Sequence, residues 1–182
     1  MDHSDLERYC HRALDGGASH VQPISPSTVV TAQWVRMKCQ FGCAGYGRRY
    51  GCPPDTPTPA QTQAVIDCYH RAILFHLEAP HIEGESRRKR RNQYYDMLIA
   101  LEAELFKDGY YKAFVFLAGP CHLCRECAKM KGEPCKFGYK SRPSMEACGI
   151  DVYQTVRNNG FFIHPLREKE EIQNIYSLML VD

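Results

Sequence analysis

No apolar run of about eighteen residues occurs in this 182-residue chain, so the sequence offers no membrane-spanning helix. Its opening, MDHSDLERYC, lacks the basic region followed by an apolar stretch that a secretory leader needs, and the expected location is the cytoplasm. An excess of one charge is also missing. The 23 Lys and Arg residues against 21 Asp and Glu leave a formal net charge of +2, far short of the basic footprint of a dedicated nucleic-acid binder. With 44% hydrophobic and 24% charged residues, the composition is neither that of a disordered chain nor that of a membrane protein. The length suits one sizeable core, and the expectation is a single metal-binding domain over 1–182.

Cysteine, by contrast, is abundant. Ten occur, and in a reducing compartment they serve more readily as metal ligands or redox groups than as structural disulfides.

The periodicities predict a mixed chain. A short helix runs from Leu6 to Leu14, stopped by Gly16-Gly17. The β-branched or alternating segments 21–24 and 29–37 read as strands leading into a glycine- and proline-rich loop. Thr58-Pro59 opens a helix to His70, followed by the strand-like AILFHLE. Residues 86–108 repeat the pattern, with Tyr94, Leu98, Leu101 and Leu105 on one helical face, Gly109 as terminator, and the strand KAFVFLAG after it. Asp151 caps a helix through Arg157, and FFIHPL and IYSLMLVD read as closing strands. Helix alternating with strand points to an α/β fold, with α+β as the alternative: one sheet with crossover helices and two cysteine-rich ligand loops, 39–57 and 119–143, at one edge.

The strongest motif is PCHLCRECAKMKGEPC, in which Cys121, Cys124 and Cys127 are spaced C-x2-C-x2-C and Cys135 follows after seven residues. Two-residue gaps let successive thiolates reach neighbouring irons of a cubane, and a more distant cysteine closes the last corner. Zinc also takes four thiolates, but usually from two separated C-x2-C pairs, so a 4Fe-4S cluster is the expected cofactor and zinc the alternative. A second group, Cys39, Cys43 and Cys52, supplies three local thiols and implies a second cluster. Cys148, just after the second loop, is the first candidate for its fourth ligand. Without a fourth protein ligand one iron keeps an open position and can act as a Lewis acid. The rival reading is that these three are partly structural or share a zinc with a histidine.

Cys10 and Cys68 sit beside apolar residues on predicted helix faces and are expected to be buried and inert. His76 reads as a hydrogen-bonded core residue, and His122, between cluster ligands, as a candidate for tuning a cluster. The run RRKRR at 87–91 is most simply a solvated helix face, while Arg48 and Arg49 are placed to offset the negative charge of a thiolate-ligated cluster.

The segments CAGYGRRYGCPP and GPCHLCRECAKMKGEPCKFGYKSRPSMEACGIDV, together with the closing apolar strand, resemble a family of predicted metal-binding proteins, domain of unknown function 2284. The resemblance spans nearly the whole chain and implies a cysteine-bound metal or iron–sulfur centre, without a reaction. It implies that Cys43, Cys52, Cys121, Cys124, Cys127 and Cys135 are recurrent, whereas the position of Cys148 often holds another residue.

The preferred functional expectation is a small redox protein whose one or two clusters transfer electrons to a partner enzyme. An enzyme using an open-site cluster on a small sulfur-containing or anionic substrate, oriented by Arg48, Arg49 or Tyr46, is the alternative. A zinc-stapled binding module comes third. Substrate, redox partner and oligomeric state lie beyond the sequence.

Overall fold

The computed structural model describes residues 4–80, 84–168 and 170–182, apart from the side chain of Arg87, so that end of the basic run lies outside the described residues. Its sheet has four strands, β1 (His20–Ile24), β2 (Arg71–Ala79), β3 (Phe114–Phe116) and β4 (Gln173–Val181), in the order β1-β2-β4-β3. Every neighbouring pair is antiparallel, and β2 and β4 match from Arg71 opposite Val181 to Ala79 opposite Gln173. β2 and β3 are both antiparallel to β4, so they are parallel to each other. The helix linking them, Gly84–Lys107, is therefore a true crossover with β4 inserted between the strands it joins. The expected mixed α/β sheet is present.

Both faces of the sheet are covered, which is why β2 and β4 read as continuous apolar runs rather than as alternation. On one face Ile73, Phe75, Leu77 and Met179 pack under α1 (Glu7–Asp15) and α4 (Gly84–Lys107), which contribute Tyr9, Tyr95, Leu98 and Leu105. On the other, Leu74, Phe116, Leu178 and Leu180 meet Ile66 from α3 (Pro59–Ile66), Val156 from α5 (Val152–Asn158), and the turn carrying Met145, Cys148 and Ile150.

Several local predictions hold in atomic detail. Thr58 caps α3 through a capping box: its hydroxyl accepts from Gln61 N at 3.3 Å, and the Gln61 side chain accepts from Thr58 N at 2.8 Å. Asp151 caps α5 by accepting from Gln154 N at 2.9 Å.

Two predicted strands are absent. Residues 29–37 do not form a strand; after an isolated bridge at Thr31, α2 (Gln33–Gly42) begins. Val35 and Cys39 lie four residues apart, so the same segment also satisfies helical spacing, and the buried Val35 fixes that choice. FFIHPL is irregular, with Phe162 82% exposed and only Ile163 buried in the core. One inert cysteine is misplaced as well: Cys10 is buried, but Cys68 is exposed just beyond α3, its thiol bonded to Ala64 O.

Candidate metal centre

The second ligand loop leaves β3 and packs along α4, with His122 against Tyr95 and Lys140 paired with Asp96. Its far end is pinned by Arg142, whose guanidinium takes the carboxylate of Glu102 with Nε at 3.0 and 2.9 Å from the two oxygens, while Val115 N donates to the same carboxylate at 2.8 Å. Between these anchors, Cys121, Cys124, Cys127 and Cys135 line one small pocket closed by Leu123, Phe137 and Gly51. Burial pushes the Cys124 thiol up, and its neighbours Cys121, Cys127 and Cys135 add to the rise, the expected effect of negative charges sharing a site. Nothing but sulfur among the lining side chains is a ready metal ligand. Four convergent thiols fit a thiophilic metal, zinc or an iron–sulfur cluster alike. The pocket they line is small, about 20 Å³, but no three of the sulfurs lie within 4.8 Å of one another, so they stand wider than the separation of about 3.8 Å for thiolates on one tetrahedral zinc.

The first loop packs on the second. Tyr50 donates its phenol to Glu133 O at 2.8 Å, Lys129 pairs with Asp55, and a Cβ placed on Gly51 would stand 3.5 Å from that of Cys121. Cys52 is thereby carried to the meeting point of the two groups. Burial raises its pKa, Arg49 opposes the rise, and Cys43, Cys39 and Cys121 each add to it. Arg49 thus has the charge-offsetting place expected of it, whereas Arg48 is exposed.

α2 explains the C-x3-C spacing. Cys39 is on its last turn and Cys43 is its C-terminal cap residue, four positions later on the same side. Gly45 N points at Cys43 Sγ at 3.4 Å. Arg36, one turn earlier, ties α2 to both flanking segments, donating to Thr56 Oγ1 at 2.8 Å and to Ala147 O at 2.6 Å. Burial lifts the Cys39 thiol, followed in effect by Cys43 and Glu146, with Arg36 pulling the other way.

Cys39 and Cys43 stand in the wall of a half-open cavity of about 770 Å³ at the ends of β2 and β4. Its charged wall residues are Lys38, Arg90, Arg91 and Glu146; Trp34, Tyr95 and Tyr153 supply aromatic surface. Arg91 Nε is buried there without a hydrogen-bond partner among the described residues. Part of the basic run therefore faces a cavity and is not simply a solvated face.

Cys148, proposed as the fourth ligand of the first group, is brought to neither thiol set. It has no exposed surface, it lies in the core between Met145 and Ile150, and the charges acting on it are those of Arg36 and Glu146 rather than of any cysteine. His122 is half-buried with its ring 5.1 Å from that of Tyr95. Tyr46 lies in the first loop, outside the cavity wall. The cavity residues Lys38 and Glu146 escaped the sequence reading, although W-V-R-M-K-C at helical spacing carried the signal for Lys38. Among the described residues no helix is long and apolar enough to cross a membrane.

A family model described as predicted metal-binding protein (DUF2284) matches residues 22–181. No curated protein and no solved structure matches the chain.

Proposed function

Since the chain belongs to the family of predicted metal-binding proteins, DUF2284, we propose that it is an iron–sulfur enzyme acting on a small anionic molecule held in the cavity beside Cys39 and Cys43. The observation that carries this reading is the position of those two thiols in the wall of a cavity of about 770 Å³, within the range of small-molecule sites. An electron carrier has no use for such a cavity, so the enzyme reading is preferred to simple electron transfer. The cofactor assignment rests on the three-in-a-run spacing of Cys121, Cys124 and Cys127, with Cys135 as fourth ligand and Cys39, Cys43 and Cys52 holding a second centre. Cys148 is left out of the ligand set because of its burial.

When bound, a centre with three protein thiolates supplies a Lewis-acidic iron and a route for single electrons. The chain's own residues do the remainder. Lys38 and Arg91 attract and orient an anionic group. Trp34 and Tyr95 cover an apolar body and exclude water from it. Among the described residues Glu146 is the one carboxylate in the wall; Gly119 N donates to its Oε2 at 3.4 Å, and it is the group placed to hold or accept a proton.

The test begins with iron, zinc and acid-labile sulfide on anaerobically purified protein, where about eight irons and eight sulfides per chain mean two cubanes and about four mean one. The electron paramagnetic resonance spectrum of the reduced protein is then recorded with added thiolates, carboxylates and phosphates. A ligand-dependent shift that weakens about tenfold in Lys38→Ala or Arg91→Gln is the expected result, in line with losing a charged hydrogen bond. A spectrum indifferent to all of them returns the reading to an electron-transfer protein with a partner enzyme. Zinc is the second reading, because four thiolates are also a zinc ligand set. Stoichiometric zinc without sulfide under anaerobic conditions makes the protein a zinc-stapled binding module.

A further inference from the structure

Away from the cysteines, the pairing of β1 with β2 sets His20 directly opposite His76, with Glu78 two residues further along the same face of β2. Their ligand atoms, one from each residue, all lie within 4.8 Å of one another. The two Nδ1 atoms are 3.1 Å apart, close to the separation of about 3.4 Å for two nitrogens each about 2.0–2.1 Å from one tetrahedral zinc. We propose that His20 Nδ1, His76 Nδ1 and the Glu78 carboxylate form a sulfur-free site for a divalent cation of zinc type.

The surroundings of His76 are those of a prepared ligand. Its Nε2 stands 2.8 Å from Asn174 Oδ1, an arrangement in which the ring N–H donates to the amide oxygen and leaves Nδ1 without a proton, the form a metal needs. The ring is held flat on Tyr176, with centroids 4.5 Å apart and planes 9° apart, and Phe161 closes its edge at 5.9 Å. The backbone of Glu78 is fixed on both sides: its N–H donates to Ser19 Oγ at 2.9 Å, and its carbonyl accepts from Arg90 at 3.3 Å.

His76 is buried, whereas His20 and Glu78 are exposed, so a cation has a path from solvent and water can complete its coordination. Two imidazoles and a carboxylate with an open position are a ligand set suited to zinc. Asn174 and Tyr176 also line the large cavity, so the residues orienting His76 connect this site to the cavity wall. The proposal does not depend on what the cysteines bind.

The experiment uses the full-length protein, purified anaerobically with the metal its thiols already hold, and zinc as the probe. Zinc is titrated in competition with a chromophoric chelator into the wild type, His20→Ala and Asn174→Ala, with circular dichroism as the check on folding. Wild type is expected to take one equivalent more than His20→Ala, and Asn174→Ala to bind that equivalent about 10–100-fold more weakly. X-ray absorption at the zinc edge, taken as wild type minus His20→Ala, should show imidazole nitrogen and oxygen at about 2.0–2.1 Å with no added sulfur at about 2.3 Å. Equal zinc uptake by wild type and His20→Ala overturns the proposal, leaving a His20–His76 hydrogen bond only. An added sulfur shell overturns it too, by assigning the extra ion to cysteines.

Discussion

Cys148 lies wholly inside the protein, and burial pushes its thiol up to about 12, with Arg36 opposing the rise and Glu146 adding to it. Cys10, on the buried face of α1, is pushed up to about 11 by burial and then by Glu7. Both thiols stay protonated at neutral pH, and in an unfolded chain each would ionise near pH 9. Their raised folded values contribute stability that is complete below about pH 9 and is lost as pH rises through about 11 to 12. Replacing Cys148 by Ala should therefore cost about 1–2 kcal/mol near pH 7, as for other small core truncations. Because Ala has nothing to ionise, the gap between wild type and variant should close as pH rises from about 9 towards 12, which urea melts at successive pH values would measure. Bound metal should stay the same in the variant. A loss of metal there would return Cys148 to the ligand set. Nothing local distinguishes Cys148 from the cysteines around the pockets, since its neighbours in sequence also lie near a ligand loop. Its chemistry is set by the core into which the turn 145–150 folds.

The segment Gln33–Gly42 shows how an element can be misread and still carry its signal. Alternation over nine residues fits a strand, but Trp34 with Lys38, Val35 with Cys39, and Cys39 with Cys43 fit a helix equally well. The helical choice turns a loose C-x3-C spacing into a two-thiol face. Where α3 begins, the packing is closer still. Gly149 has φ +77°, and a Cβ there would overlap the ring of Pro59, while Thr62 donates its hydroxyl to Cys148 O at 2.7 Å. Gly149→Ala combines a left-handed backbone with overpacking and should cost about 3 kcal/mol. Thermal denaturation of the variant checks this, and a loss under 1 kcal/mol would mean that α3 shifts without strain. The caps at Thr58 and Asp151 were legible because each depends on a side chain and a backbone N–H three residues away. The strand predicted at FFIHPL failed because no strand among the described residues pairs with it.

At the scale of the molecule, the two cores on the faces of the sheet are built almost wholly from residues outside the ligand loops. Removing metal by chelation should therefore leave the far-ultraviolet dichroism close to that of the holoprotein. Hydrogen exchange should show β2 and β4 still protected while 43–57 and 119–143 become labile, in keeping with separate local stabilities. Collapse of protection in β4 on chelation would show that the loops are part of the global folding unit. The sequence alone determined the number and spacing of the thiols in each loop, most of the helices and strands outside 29–37 and FFIHPL, and the caps at Thr58 and Asp151, because these depend on residues within one or two turns of each other. Tertiary structure decided the rest. It brought Cys52 beside Cys121, buried Cys148, turned Arg91 towards a cavity, and set His20 against His76, 56 positions along the chain. Those contacts depend on strand register and on how loops pack over the sheet, and no short window of sequence carries that information.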